Sequence, residues 1–183
     1  MSGSLIDAYV RALSELEKLD FQRAIVQRLL VALNNFQSIP SYPQGDGGLD
    51  GHSHNGTKGY CCYSLKYDTA KTPYQRAKQL AVKFSNDLRR LFELEPQGKT
   101  KLVHKDNDAL LSIFGAVAAQ SDRICHITLI ANWFENHAAL GSIKQNAIKY
   151  ASASQCRWVA SNADVVIRGP KEFADQYGAT NRR

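Results

Sequence analysis

The run Ile124-Cys-His-Ile-Thr-Leu-Ile-Ala131 limits the possible folds more than any other stretch of the chain. It is a continuous β-rich apolar segment that follows a charged turn. A strand with apolar side chains on both faces has to be covered on both faces. The surrounding sequence offers helices for that cover, so the expected architecture is a central sheet with helices packed against it.

Two helices are expected before the sheet. Leu5, Ile6, Tyr9, Val10, Leu13, Leu16 and Leu19 recur near helical spacing over residues 5 to 19. Asp20 is then read as the cap of a second helix that opens at Phe21, carries Phe21, Ile25, Leu29 and Leu33 on one stripe, and exits at Asn34-Asn35. Residues 36 to 43 favour extended structure but contain Pro40 and Pro43, which restricts any strand there to a short one at a sheet edge. Gly47 to Ser53 and Gly59 to Tyr67 read as two strands. Asn55-Gly56 between them is the signal of a tight hairpin.

Thr72-Pro73 marks a helix start, and the helix is expected to run to about Glu95 with Tyr74, Ala77, Leu80, Ala81, Phe84, Leu88 and Leu91 facing inward. Its other side carries Arg76, Lys78, Lys83, Arg89 and Arg90. Residues 96 to 108 read as a polar loop and 109 to 119 as a short helix. After the 124 to 131 strand, Asn136 caps a helix whose Leu140, Ile143, Ala147, Ile148 and Ala151 face inward. Two strands follow, at 157 to 160 and 164 to 168, and a last helix begins at Pro170. Trp133 and Trp158 are assigned to packing.

Length and charge narrow the function classes. At 183 residues the chain suits one ordinary α/β domain, divided here into an N-terminal helix (1–20) and a single domain (21–183). No apolar run approaches the roughly 20 residues needed to span a bilayer, so no membrane partner is expected. Met1-Ser-Gly-Ser-Leu-Ile-Asp lacks the basic start and apolar block of a secretory signal, which makes a cytoplasmic location the expectation. Cys61, Cys62, Cys125 and Cys156 show no CxxC spacing and read as reduced thiols, with Cys61 and Cys62 on opposite faces of a strand. A formal net charge of +6, from 23 basic against 17 acidic residues, permits a polyanionic partner.

The candidate chemistry lies around the hairpin. In an extended segment Asp50 and His52 share a face by the two-residue alternation, and Lys66 or Tyr63 on the returning strand can approach the same edge. A carboxylate holding a divalent cation beside an ammonium is the equipment of phosphodiester hydrolysis. The bland alternative is that Asp-Gly pairs simply form turns and that a lysine ends a strand. His52, an imidazole on Asp50's expected face, is a candidate ligand for manganese or zinc. His54 and His104 read as solvated loop residues. The sequence contains no dinucleotide-binding glycine motif, complete phosphate-binding loop, zinc-protease motif or nucleophile elbow.

Three segments together carry a family resemblance: Phe21-Gln-Arg-Ala-Ile-Val-Gln-Arg-Leu-Leu, Gly45-Asp-Gly-Gly-Leu-Asp-Gly and Tyr60-Cys-Cys-Tyr-Ser-Leu-Lys. They resemble the PD-(D/E)XK nuclease superfamily, in particular its Mrr-like restriction and antiphage-defence branches. The resemblance covers about two thirds of the chain and implies an α/β, restriction-endonuclease-like core ordered αβββαβ, a central mixed sheet flanked by helices. It further implies a metal-dependent DNA endonuclease, the effector of a prokaryotic defence or restriction system, with a sensor or ATPase subunit as protein partner.

Carried over by position, Asp50 is the metal-binding aspartate, Lys66 the phosphate-stabilising lysine and Gln22 the contribution of the first helix, with Mg2+ or Mn2+ as cofactor and Asp46 as a turn residue. Arg76 and Lys83 are the expected DNA contacts. The chain departs from the family pattern where Ser64 stands at the acid position and Gln22 where a glutamate is common. A second register places Cys61-Cys62-Tyr63 on the motif. These departures support an alternative: a catalytically degenerate subunit that binds nucleic acid or scaffolds a complex. A third reading is a structural homo-oligomer formed through the apolar N-terminal helix.

Overall fold

The computed structural model describes residues 2–39, 49–53, 56–66, 71–91, 124–133, 138–153 and 159–178. Two helices, α1 (Ser2–Glu15) and α2 (Lys18–Ala32), precede three strands, β1 (Gln37–Ser38), β2 (Gly51–Ser53) and β3 (Lys58–Tyr63). Helix α3 (Pro73–Leu91), β4 (Ile124–Ala131), α4 (Ala138–Ala153), β5 (Val159–Arg168) and α5 (Pro170–Phe173) follow, and the last runs on into a π turn at Ala174–Gly178. The strands form one five-stranded sheet in the order β1-β2-β3-β4-β5. β1, β2 and β3 pair antiparallel, and β3, β4 and β5 pair parallel. The protein is therefore α/β, with a mixed sheet flanked by helices.

Each face of the sheet has its own core. On one side α3 and α4 bring Ala77, Leu80, Phe84, Leu88, Ile143 and Ala147 onto Leu49, Cys61, Ile127 and Leu129. On the other, Phe21, Ile25 and Leu29 of α2 join Leu13, Phe36, Tyr60, Ile130, Phe173 and Tyr177. β4 feeds both, Leu129 one and Ile130 the other, which accounts for its uninterrupted apolar sequence. Phe84 is fully buried, and removing such a side chain from water is worth about 2–3 kcal/mol.

Local signals explain the boundaries that position the site. Thr72 and Gln75 cap α3 reciprocally: Gln75 N–H donates to Thr72 Oγ1 at 3.3 Å and Thr72 N–H donates to Gln75 Oε1 at 2.8 Å. Pro170 opens α5, where its missing N–H costs nothing. The hairpin between β2 and β3 closes through Gly56, whose φ of 87° suits glycine and whose N–H donates to Ser53 O at 3.1 Å. His54 and Asn55 lie outside the described residues.

Several expectations need correction. α2 starts at Lys18 rather than Phe21, so Asp20 sits in its first turn and Glu17 holds the cap position. α1 ends at Glu15, short of the expected 19, and Leu5 within it and Leu19 beyond it are both exposed. Tyr74 and Ile148, expected to face inward, are also exposed, because the true buried stripes run through Ala77-Leu80-Phe84 and Ile143-Ala147. β2 and β3 are shorter than their extended-looking sequences. The two strands expected at the C-terminal end are one, β5, whose Ser161 and Asn162 are exposed at the sheet edge rather than in a turn. The expected short helix at 109 to 119, the loop at 96 to 108, Asp46, His104, Cys156 and Trp158 all lie outside the described residues. Among the described residues no helix is long and apolar enough to cross a membrane.

Candidate functional site at the base of the hairpin

Asp50 immediately precedes β2 and is 7 % exposed. Its backbone stays in the sheet: Asp50 N–H donates to Tyr60 O at 2.8 Å, and Ile39 N–H donates to Asp50 O at 3.0 Å. Its carboxylate serves two donors. Gln22 of α2 donates its side-chain amide to Oδ1, and Cys62 N–H of β3 donates to Oδ2. Gly51 opposes Tyr60 in the ladder, so a carbonyl near residue 49 would be the regular acceptor for Cys62. The carboxylate takes over that role where β2 ends.

The expected sharing of a face by Asp50 and His52 does not hold. His52 pairs with Gly59, and a Cβ placed on Gly59 would meet Leu49 and Ile124 of the α3 and α4 core. His52 therefore lies on the α3 side of the sheet, while the Asp50 carboxylate meets α2 on the other. The alternation holds from Leu49, in the α3 core, to Asp50, whose carboxylate meets α2, and breaks at the next step, where Gly51 also lies on the α2 side against Phe36. Burial pushes the His52 imidazole below its ordinary pKa.

Ser64 lies two residues beyond Cys62, whose N–H donates to Asp50. Tyr63 and Leu65 both face the α3 core, so alternation directs the intervening Ser64 toward α2, the side of Cys62 and Asp50. Ser64 is 7 % exposed, and its Oγ has no hydrogen-bond partner among the described residues. A buried hydroxyl of this kind is uncommon and marks a place where another group can be bound.

Lys66 stands elsewhere. It is four residues beyond Cys62, a chain distance of about 13 Å when extended, and it is exposed. Asn132, which follows β4, fixes its approach: Leu65 N–H donates to Asn132 Oδ1 at 2.8 Å, and Asn132 Nδ2 donates to Leu65 O and to Leu16 O, both at 3.0 Å. Lys66 lines two cavities at this end of the sheet, and Asp50 lines neither. One, of about 430 Å³, lies between the α1–α2 link, Arg76 and Trp133. The other, of about 710 Å³, runs along α3.

The two expected DNA-contacting cations of α3 have partners within the chain. Arg76 stacks 5.1 Å from the centroid of Trp133 and donates to Lys71 O at 2.7 Å. Lys83 forms an ion pair with Asp87, a carboxylate only 3 % exposed, and lies 5.6 Å from the Tyr63 ring centroid. Lys83 also lines the larger cavity. Sequence reasoning missed Asp87, though an acid four residues after a lysine on an otherwise acid-free helix was a readable signal. It also missed Asn132, which no spacing rule marks.

As a metal centre the site is sparse. Among the described residues no group of three or more His, Cys, Asp or Glu side chains could hold a metal ion. The oxygen donors on the α2 side are the Asp50 carboxylate, the Gln22 amide oxygen once that amide is turned over, and the Ser64 hydroxyl. Magnesium typically takes one or two carboxylates and completes its shell with water and substrate phosphate, so these hard donors fit it. No family model, curated protein or solved structure matches the chain.

Proposed function

We propose that the chain is a metal-dependent DNA endonuclease domain of the restriction-endonuclease-like kind, with its acidic centre at Asp50. The observation that carries this reading is the Gln22–Asp50 contact. Two residues 28 positions apart, chosen by resemblance from different elements, meet at the base of the hairpin. The element order α2, β1, β2, β3, α3, β4 also supports it, since it is the helix, three strands, helix, strand order that the resemblance implies.

Asp50 would hold the magnesium or manganese, which when bound would supply Lewis acidity toward the phosphate and make a water easier to deprotonate for attack. Asp50 supplies the negative charge of the centre, and its two internal hydrogen bonds fix the carboxylate plane. Ser64 brings a neutral oxygen to the same side. Lys66, at the strand exit where Asn132 holds the backbone, would oppose the charge that develops on a phosphate spanning from Asp50 toward that exit.

Plasmid nicking by the full chain with magnesium or manganese tests the proposal. Asp50→Ala abolishes cleavage and Lys66→Ala lowers it by about 100-fold. Cleavage that survives Asp50→Ala overturns the assignment.

One observation favours a second reading, a nuclease-fold subunit that binds nucleic acid without cutting it. Asp50 is the single carboxylate in the set, and both of its oxygens already accept hydrogen bonds from within the protein. DNA binding with no cleavage in any divalent metal, and no heat of metal binding by calorimetry, selects that reading.

A further inference from the structure

We propose that α3, together with Lys66 and Lys71 beside it, forms an exosite for the backbone of duplex DNA, on the opposite layer of the sheet from Asp50. The choice of DNA rests on the function proposed above; the surface is argued from charge and shape.

The cavity along α3 is lined by Lys66, Lys71, Lys78 and Lys83, and no described residue in its wall is acidic. The one acid of α3, Asp87, is buried beneath the surface and paired with Lys83. Between the lysines stand Gln75, Gln79 and Asn86, whose amides suit phosphate and sugar oxygens. From Gln75 to Asn86 the wall extends about 16 Å along the helix axis, several times the size of one phosphate group.

A second cavity of about 500 Å³ flanks the helix on its α4 side, shares Lys78, Val82 and Asn86 with the first, and adds Arg89. Cations thus lie on both flanks of one helix. That arrangement suits two lines of phosphate, as on a duplex, better than a single strand.

The inner face of α3 packs on the core of the α3 layer, whereas the Asp50 carboxylate faces α2. The exosite is therefore separate from the acidic centre, and Lys66, beyond the end of β3, is its nearest link to the strand whose Cys62 N–H donates to Asp50. Contacts of this kind position a duplex without reading its sequence.

The test is fluorescence anisotropy of a labelled duplex, titrated in EDTA at several salt concentrations. It compares the full chain with Asp50→Asn and with the double variant Lys71→Ala/Lys78→Ala, in which Lys78 is exposed and Lys71 half-buried, each variant first shown to be folded by thermal melt. The double variant weakens binding by about tenfold or more at low salt, equally for unrelated sequences, and the slope of log K against log salt falls by about 2. Asp50→Asn binds like the parent. Unchanged affinity or slope in the double variant overturns the exosite, as do tighter binding to single-stranded DNA or duplex RNA and equal displacement by polyglutamate. Binding in EDTA that persists while every metal fails to support cleavage refutes the nuclease reading and leaves the exosite standing. Loss of binding in folded Asp50→Asn refutes the separation of the two sites.

Discussion

The side-chain amide of Gln22 donates to Oδ1 of Asp50 across the interface between α2 and the sheet, while Oδ2 accepts the N–H of Cys62 from the neighbouring strand. One buried carboxylate thus ties a helix and two strands together. Replacing Asp50 with alanine leaves Cys62 N–H and the Gln22 amide to find new partners at a buried position, a loss of about 1–3 kcal/mol for each group left unsatisfied. Asp50→Asn keeps the size and one oxygen acceptor and should destabilise less. Urea midpoints for the two variants check the order. Equal stability of Asp50→Ala and the parent would show that the carboxylate is not structural.

Asn132 plays a similar part at the same end of the sheet, just beyond the Tyr63–Ala131 pair of β3 and β4. It is 3 % exposed, accepts from Leu65 N–H and donates to the carbonyls of Leu65 and Leu16, so it joins the exit of β3 to the end of α1. Asn132→Ala strands a buried N–H and two carbonyls; about 2–4 kcal/mol of stability is lost if water recovers part of the deficit. Amide hydrogen exchange at Leu65 should accelerate even where the rest of β3 stays protected. Cleavage, if present, should fall with it because Lys66 loses its fixed backbone, whereas the affinity of the α3 surface for DNA changes little.

Much of this architecture is legible in the sequence because its signals are periodic or stereochemical. Ala77, Leu80, Phe84 and Leu88 follow the helix repeat, the Ile124–Ala131 run requires cover on both faces, and Gly56 takes the positive φ that an Asn-Gly turn demands. The pairing of Gln22 with Asp50 follows only from resemblance.

What was not legible arises where regularity fails. The period-two argument puts Asp50 with His52, yet Asp50 and Gly51 both lie on the α2 side, and one such break reverses the face of every side chain before it. β5 reads as two strands because Ser161 and Asn162 are polar, but an edge strand tolerates polar residues at positions that a central strand fills with apolar ones. The irregular pairing between Ile124 and His126 lies opposite that polar stretch.

Tyr177 gives the protein a defined alkaline limit. Burial, chiefly, and then the neighbouring Tyr60 hydroxyl hold its phenol well above the ordinary value of 10.0. The folded state therefore keeps a proton that the unfolded chain releases. Stability from this group is fully present below pH 10 and is lost as the pH rises beyond it. Tyr177→Phe cannot ionise, so its urea midpoint should fall less between pH 9 and pH 11 than that of the parent, even though it starts lower for want of the hydrogen bond to Tyr60. Parallel pH profiles for the two proteins would exclude Tyr177 as the source of alkaline destabilisation.

Gly51 is required by packing rather than by its backbone angles. A Cβ at this position would overlap Phe36 Cζ, approach Phe36 Cε2 at 2.7 Å and reach the backbone carbonyl oxygen of Gln37 at 2.9 Å. The ring can move at some cost, but the carbonyl belongs to β1, whose Ser38 is the ladder partner of Gly51. Gly51→Ala should therefore cost about 1–3 kcal/mol and displace β1 from the edge of the sheet. Phe36→Leu added to Gly51→Ala removes the ring overlap and leaves the carbonyl contact, so it recovers part of the loss if the ring dominates. Recovery is read as a positive coupling in a double-mutant cycle of urea midpoints. Additive losses would mean that the β1 carbonyl is the decisive obstacle, and β1 amide exchange in Gly51→Ala would then be fast with or without the Phe36 substitution.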